Sequence, residues 1–171
     1  MNNKAKTLVF TVLYLLLSNT FIYAQHNDKH PEQGSHSSKH HIALFNGATT
    51  NFSHNSTSYT IGIDYEYRLS ELVGLGLLVE YIAAKPEELL TGVIVFAHPY
   101  KGFKFLAAPL VIFSGEHHEI GHEANKETNF AFRVGAGYDF HFGKLSVGPS
   151  LNLDLGKTES LNYGISVGVG L

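Results

Sequence analysis

Three successive stretches in the C-terminal half alternate apolar and polar side chains with a period of two, the spacing of strands that each have one apolar face. In the first, Phe130, Phe132, Val134, Ala136, Tyr138, Phe140 and Phe142 oppose Ala131, Arg133, Gly135, Gly137, Asp139 and His141. In the second, Leu145, Val147, Pro149, Leu151, Leu153 and Leu155 oppose Ser146, Gly148, Ser150, Asn152 and Asp154. The third sets Leu161, Tyr163, Ile165, Val167, Val169 and Leu171 against Asn162, Gly164, Ser166, Gly168 and Gly170.

The N-terminal half repeats the pattern with more noise. Tyr59, Ile61, Ile63, Tyr65 and Tyr67 alternate with Thr60, Gly62, Asp64, Glu66 and Arg68. Val73 to Tyr81 alternates with Gly74, Gly76, Leu78 and Glu80, and Phe103 to Phe113 with Lys104, Leu106, Ala108, Leu110 and Ile112. Segments 41–50 and 89–98 are rich in strand formers but ambiguous in phase. Eight strands of about ten residues are predicted. Their connections alternate as well. Those near Leu69–Glu71, His98–Lys101 and Gly143–Lys144 are short, whereas the others are mostly longer and more polar, the longest running from Ser114 to Asn129. This is an up-and-down meander with short turns at one end and longer loops at the other.

Composition narrows the reading. The 171 residues contain no Cys and no Trp, which excludes a disulfide framework, a thiolate zinc site and a Cys nucleophile. Seventeen glycines, twelve phenylalanines and nine tyrosines accompany the strand pattern. A formal charge of −3 excludes a strongly basic nucleic-acid binder. Residues 1–24 read as an export signal: Lys4 and Lys6 precede an apolar run from Leu8 to Leu17 broken only by Thr11, and Ala24 stands before the expected cut at Gln25. That run is about half the ~20 residues a spanning helix needs. The expected organisation is a signal over 1–24, a His-rich leader over 25–40 and a barrel domain over 41–171. An exported chain without a spanning helix either stays soluble or enters a membrane as a closed barrel.

The alternation leaves open which face is inside. A soluble barrel such as a lipocalin turns its apolar face inward around a ligand, whereas a membrane barrel turns it to lipid. The polar phase is mostly Gly, Ser, Asn and Ala, residues that suit a crowded interior. It also carries Asp64, Glu66, Arg68, Glu80, Lys104, Arg133, Asp139 and Asp154, while the apolar phase of the six clear strands has no ionisable Lys, Arg, Asp or Glu. Arg133 turned to lipid at mid-depth would cost ~2–4 kcal/mol. Tyr59, Tyr65, Tyr67, Tyr81, Tyr138 and Tyr163 lie in the apolar phase toward strand ends, as aromatic girdles do. These features predict an all-β, eight-stranded, antiparallel up-and-down transmembrane barrel.

On this pattern residues 41–171 resemble the small eight-stranded outer-membrane proteins of the OmpX type or the transmembrane domain of OmpA. Members commonly end in an aromatic residue, where this chain has Leu171. The resemblance implies residence in the outer membrane with long loops outside and both termini periplasmic, contact with outer-membrane lipid, and insertion by the barrel-assembly machinery. It also implies a narrow lumen filled by side chains. The expected interior network is Asp64, Glu66, Arg68, Glu80, Arg133, Asp139 and Asp154, with Arg133 paired to Asp64, Glu66, Glu80 or Asp139, since buried charges need partners. Function is then expected in envelope structure or in loops presented to an extracellular partner, without catalysis. The alternatives are a soluble lipocalin-like ligand carrier, for which the absent Trp is unfavourable, and a metal-binding outer-membrane protein.

The metal alternative rests on histidines. His118-Glu119-Ile120-Gly121-His122 matches the H-E-x-x-H zinc-protease pattern, but two glycines weaken the helix that pattern requires and the surrounding strands leave little room for a protease fold. The looser expectation is capture of Zn²⁺, Cu²⁺ or Ni²⁺ by His117, His118, His122 and Glu123, with His26, His30, His36, His40 and His41 as a second cluster in the leader. His54 among Ser53, Ser56 and Ser58 is the nearest approach to a Ser–His catalytic arrangement, and no acid partner is placed beside it.

Overall fold

The computed structural model describes residues 38–115 and 127–171. They form β1 (His40–Asn51), β2 (Ser56–Arg68), β3 (Val73–Ile82), β4 (Glu87–Tyr100), β5 (Phe103–Gly115), β6 (Glu127–Tyr138), β7 (Phe140–Phe142), β8 (Leu145–Gly156) and β9 (Ser160–Gly170). The short β7 continues β6 past Asp139, and both pair with β8 in one register. The wall therefore has eight strands. Each pairs antiparallel with its neighbours in sequence, and β9 pairs with β1 to close the sheet.

The pairing fixes the shape. Following partners once around the wall leads from His40 to Tyr67, Leu75, Val95, Ala107, Val134, Leu153, Leu161 and back to β1 at Thr50, ten residues along from the start. With strand rise and spacing of ~3.3 and ~4.8 Å, eight strands at that stagger tilt by ~40° around a cylinder of radius ~8 Å. An interior of that width is just wide enough for side chains to fill.

Glycine permits this curvature where two backbones meet. Gly47 and Gly164 are register partners in the β1–β9 seam, and a Cβ on either would overlap the backbone of the other strand. A Cβ at Gly148 would overlap the Tyr138 carbonyl, beside the interruption at Asp139. The two-residue turns at Lys101–Gly102 and Gly143–Lys144 each place their glycine at positive φ, 81° and 65°.

The expected difference between the two ends is confined to a single connection. Residues 52–55, 83–86 and 157–159 make connections of four, four and three residues, little longer than 69–72, 101–102 and 143–144 at the other end. Only 116–126, outside the described residues, is longer.

The apolar phase points outward. At mid-strand Ile63, Leu77, Val93 and Ile165 are each more than half exposed. Aromatic rings gather toward the two ends of this surface. At the end that holds Ser38 and Leu171 stand Tyr65, Tyr67, Phe103, Tyr138, Phe140 and Phe142, with Tyr138 edge-on to both Phe103 and Phe140 at 4.8 Å. Tyr59, Tyr81, Phe113 and Phe130 stand toward the far end.

The inward phase departs from the expected run of small and polar residues. Leu78, Ile82, Leu90, Ile94, Phe96, Ala108 and Leu110 form a buried apolar cluster on β3, β4 and β5. Inside a narrow barrel the wall must be filled on both faces. These three strands fill it largely with Leu, Ile, Phe and Ala, β1 adds Ala43 and Phe45, and the remaining strands contribute mainly polar groups.

Candidate functional site: the charged lumen

The stagger brings residues from different positions along their strands to one level inside the barrel. Arg133 on β6 is the largest of the fully buried side chains, 1% exposed. Its Nε and Nη2 donate to Asp154 Oδ1 and Oδ2 at 2.6 and 2.9 Å, and Nη1 donates to Glu80 Oε1 at 2.6 Å. Asp154 is opposite Arg133 in the β6–β8 register, whereas Glu80 reaches it from β3 across the lumen. The planar guanidinium suits this geometry, because its donors fork toward two carboxylates at once.

Neutral groups complete the layer. Asn162 Nδ2 donates to Glu80 Oε2 at 3.4 Å and to Thr49 Oγ1 at 3.2 Å, and Thr49 shares a 2.7 Å hydrogen bond with Thr60. Asn152 Nδ2 donates to Asn162 Oδ1 at 3.1 Å, and Ser160 Oγ donates to Asp154 Oδ2 at 3.4 Å. Six wall strands thus tie into one cross-section of side chains.

A second charged layer lies toward the end with Ser38 and Leu171. Lys104 Nζ pairs with Asp139 Oδ2 at 3.1 Å, both under a tenth exposed. Glu66 Oε1 receives His98 Nε2 at 2.7 Å and lies 3.7 Å from Arg68 Nε. His41 Nε2 is 3.0 Å from Ser146 Oγ.

The residues expected to form one interior network therefore divide. Glu80, Arg133 and Asp154 come together. Asp139 and Glu66 have their own partners in the second layer, Lys104 and His98, and do not touch Arg133. Asp64 belongs by register between the layers, next to Ala43 and Leu78, and makes no hydrogen bond or ion pair with the described residues. Lys104, Asn152 and Asn162 belong to the inward phase of the sequence, but nothing in the alternation assigns them a role. His98 falls at the edge of a turn, where the alternation carries no signal.

The histidine clusters fare differently. His117, His118, His122 and Glu123 lie outside the described residues, as do His26, His30 and His36. His40 and His41 belong to β1 and face opposite sides of the wall: His40 bonds the outward Tyr65 hydroxyl at 2.7 Å, and His41 points inside. Among the described residues no three potential ligands gather around a common point. Ser53 and His54 occupy a turn whose backbone N–H groups donate to Asn51 Oδ1 at 3.0 and 3.1 Å. That is the turn role expected of such residues.

No family of known sequences matches this chain, and no curated protein is similar to it in sequence. Its likeness to solved structures is one of shape. The N-terminal β-barrel domain of Pseudomonas aeruginosa OprF superposes at TM-score 0.55 with 16% identity, over 75% of this chain and 96% of that one. Neisserial surface protein A gives 0.57 at 9% identity, over 77% and 96%. Ail, the attachment invasion locus protein of Yersinia pestis, crystallised with the heparin analogue sucrose octasulfate, gives 0.55 at 10% identity over the same shares. A de novo designed transmembrane β-barrel aligns over its whole length at 0.51. With the outward apolar surface and the filled interior, these likenesses establish the fold: a closed, eight-stranded antiparallel barrel of the kind found in small outer-membrane proteins.

Proposed function

We propose that this chain is an outer-membrane protein whose barrel is closed to solute flow. It serves as a non-enzymatic element of the envelope and presents its longest connection, 116–126, outside the cell. The observation that carries the reading is the pair of opposed surfaces on one wall: half-exposed Ile, Leu and Val outside, and Arg133 locked between Glu80 and Asp154 inside. Water would solvate neither surface well, whereas lipid outside and a sealed interior suit both. In this reading the end that holds Ser38 and Leu171 faces the periplasm, because the longest connection leaves the opposite end.

The charge of the barrel bears on the kind of partner. Ail was crystallised with a polysulfated heparin analogue. Among the described residues, the end with the longest connection carries Glu87, Glu88, Glu127 and Glu159 against Lys85 and Lys157, and Lys157 is engaged with Glu127 at 2.6 Å. That balance disfavours a polyanion and leaves a neutral or cationic surface partner as the better fit.

The test is recovery in the outer-membrane fraction, heat-modifiable migration of detergent-extracted protein, and conductance of the purified barrel in planar bilayers. A stable band that shifts on boiling, with no steady unit conductance, is expected. Recovery in the soluble periplasm would overturn the membrane reading, and an open pore would overturn the closed lumen.

A further inference from the structure

One polar side chain stands on the outer surface with its hydrogen-bonding capacity only partly met by the described residues. Asn46 lies in the outward phase of β1, between Ile61 of β2 and Ile165 of β9, and is exposed. At the tilt of this barrel each residue advances ~2.5 Å along the axis, so Asn46 sits ~15 Å from the level of His40 and ~13 Å from that of Asn51. In an apolar band ~25 Å tall this is near mid-depth. Nδ2 donates to the Tyr59 hydroxyl at 2.7 Å, which accounts for one of the two amide N–H groups. Oδ1 and the second N–H have no hydrogen-bond partner among the described residues.

An unpaired amide facing hydrocarbon is costly, since acyl chains neither donate nor accept. What covers Asn46 must supply one donor and one acceptor at that depth, where the flanking outward side chains Leu44, Ala48, Ile61 and Ile165 are apolar. Lipid headgroups lie too far along the axis, and the surroundings, Leu44, Ala48, Ile61 and Ile165, carry no charge to hold an ionic ligand. A primary amide is complementary to itself, because two can exchange reciprocal N–H···O bonds about a two-fold axis. Ala48, two residues along the same strand, is small enough to let another wall come close, as small residues do at contacts between membrane-spanning elements.

We infer that β1 forms the contact of a two-fold dimer of this chain, with Asn46 of one copy paired to Asn46 of the other. The inference rests on the outer-membrane reading above, because only lipid makes the unpaired amide costly. Both copies insert with the same orientation, so the two-fold axis runs along the membrane normal and residues at equal depth meet.

The absence of cysteine from the chain makes the test clean. Leu44→Cys puts a thiol beside the contact with Asn46 intact. Val93→Cys puts one at similar depth three strands around the wall, where it is 52% exposed. Treated in intact outer membranes with a short bismaleimide, Leu44→Cys should form covalent dimer at least five-fold more than Val93→Cys. The double variant Leu44→Cys/Asn46→Leu should fall to the Val93→Cys level. Heat-modifiable migration of each variant reports that the barrel itself is formed. A folded barrel in which Leu44→Cys links no better than Val93→Cys overturns the dimer. Undiminished linking after Asn46→Leu overturns the amide pair. Loss of the heat-modifiable band from the wild-type chain overturns the membrane reading, and the dimer with it.

Discussion

Arg133 and Asp154 face each other directly across the β6–β8 pair, and the guanidinium grips both oxygens of that carboxylate. The strand register thus delivers half of the interior lock before any long-range contact is made. Glu80 supplies the other half from 53 residues away in sequence. Three ionised groups buried together are tolerable only while each has its partner, and removing the central one leaves two carboxylates facing each other.

Arg133→Ala is therefore expected to destabilise the barrel by ~3–5 kcal/mol, the cost of orphaning a buried pair. Urea unfolding in lipid vesicles reads the loss, and planar-bilayer recording of the folded fraction should detect a conductance above that of the wild type. Unchanged stability and a silent bilayer would refute the lock.

Asp64 should behave in the opposite sense. It is an inward carboxylate with no hydrogen-bonded or ion-paired partner among the described residues, so its charge is a burden. Asp64→Asn is expected to leave the unfolding midpoint unchanged or raise it, whereas Glu80→Gln should lower it. A marked loss on Asp64→Asn would show that the carboxylate has a structural role the fold does not reveal.

The outward surface offers a test of the lipid itself. Leu77, at mid-strand and 57% exposed, is expected to cost ~2–4 kcal/mol when replaced by Arg. Leu72→Arg in the turn before β3, at 59% exposure, should cost little. In water the two positions would respond alike, so equal effects in a lipid refolding titration would argue against a membrane-facing wall.

Gly164→Val should prevent closure of the seam, because its side chain would meet Gly47 and the Asn46 carbonyl on the neighbouring strand. The expected readout is loss of the heat-modifiable form. Gly143→Asn is the control: a Cβ there meets nothing within 4 Å, and Asn tolerates its positive φ.

Much of this architecture was legible in the sequence, and the gaps have physical causes. Five strands announced their phase because one face was apolar and the other mostly small or polar, while β5 shows an apolar inward face of Leu106, Ala108, Leu110 and Ile112 beside Lys104. In β4 both faces are apolar, with Leu90, Ile94 and Phe96 inside and Leu89, Val93 and Val95 outside, so alternation vanishes although the strand is regular. In β1 the contrast is partly reversed: Ala43 and Phe45 point in while Asn46 and Thr50 point out. The lock was only partly visible. Membership of the inward phase could be read for Arg133, Glu80 and Asp154 alike, but Asp154 meets Arg133 through the β6–β8 register, and whether Glu80 reaches it across the lumen depends on the stagger of ten. That quantity emerges only when the sheet closes. The ion pair of Lys104 with Asp139 and the bond from His98 to Glu66 were hidden for the same reason, each joining residues more than thirty positions apart.

The seam between β1 and β9 joins the two strands furthest apart along the described chain, in eleven consecutive residue pairs. Every other hairpin can zip locally, but this junction must bridge the entire intervening sequence, at the full entropic cost of a large ring. Until it forms, β1 and β9 each present a row of unsatisfied amides and carbonyls, which a bilayer interior cannot solvate. Completing the circle is thus an all-or-nothing event, and loss of a single end strand would disable the whole cylinder rather than shorten it by one stave.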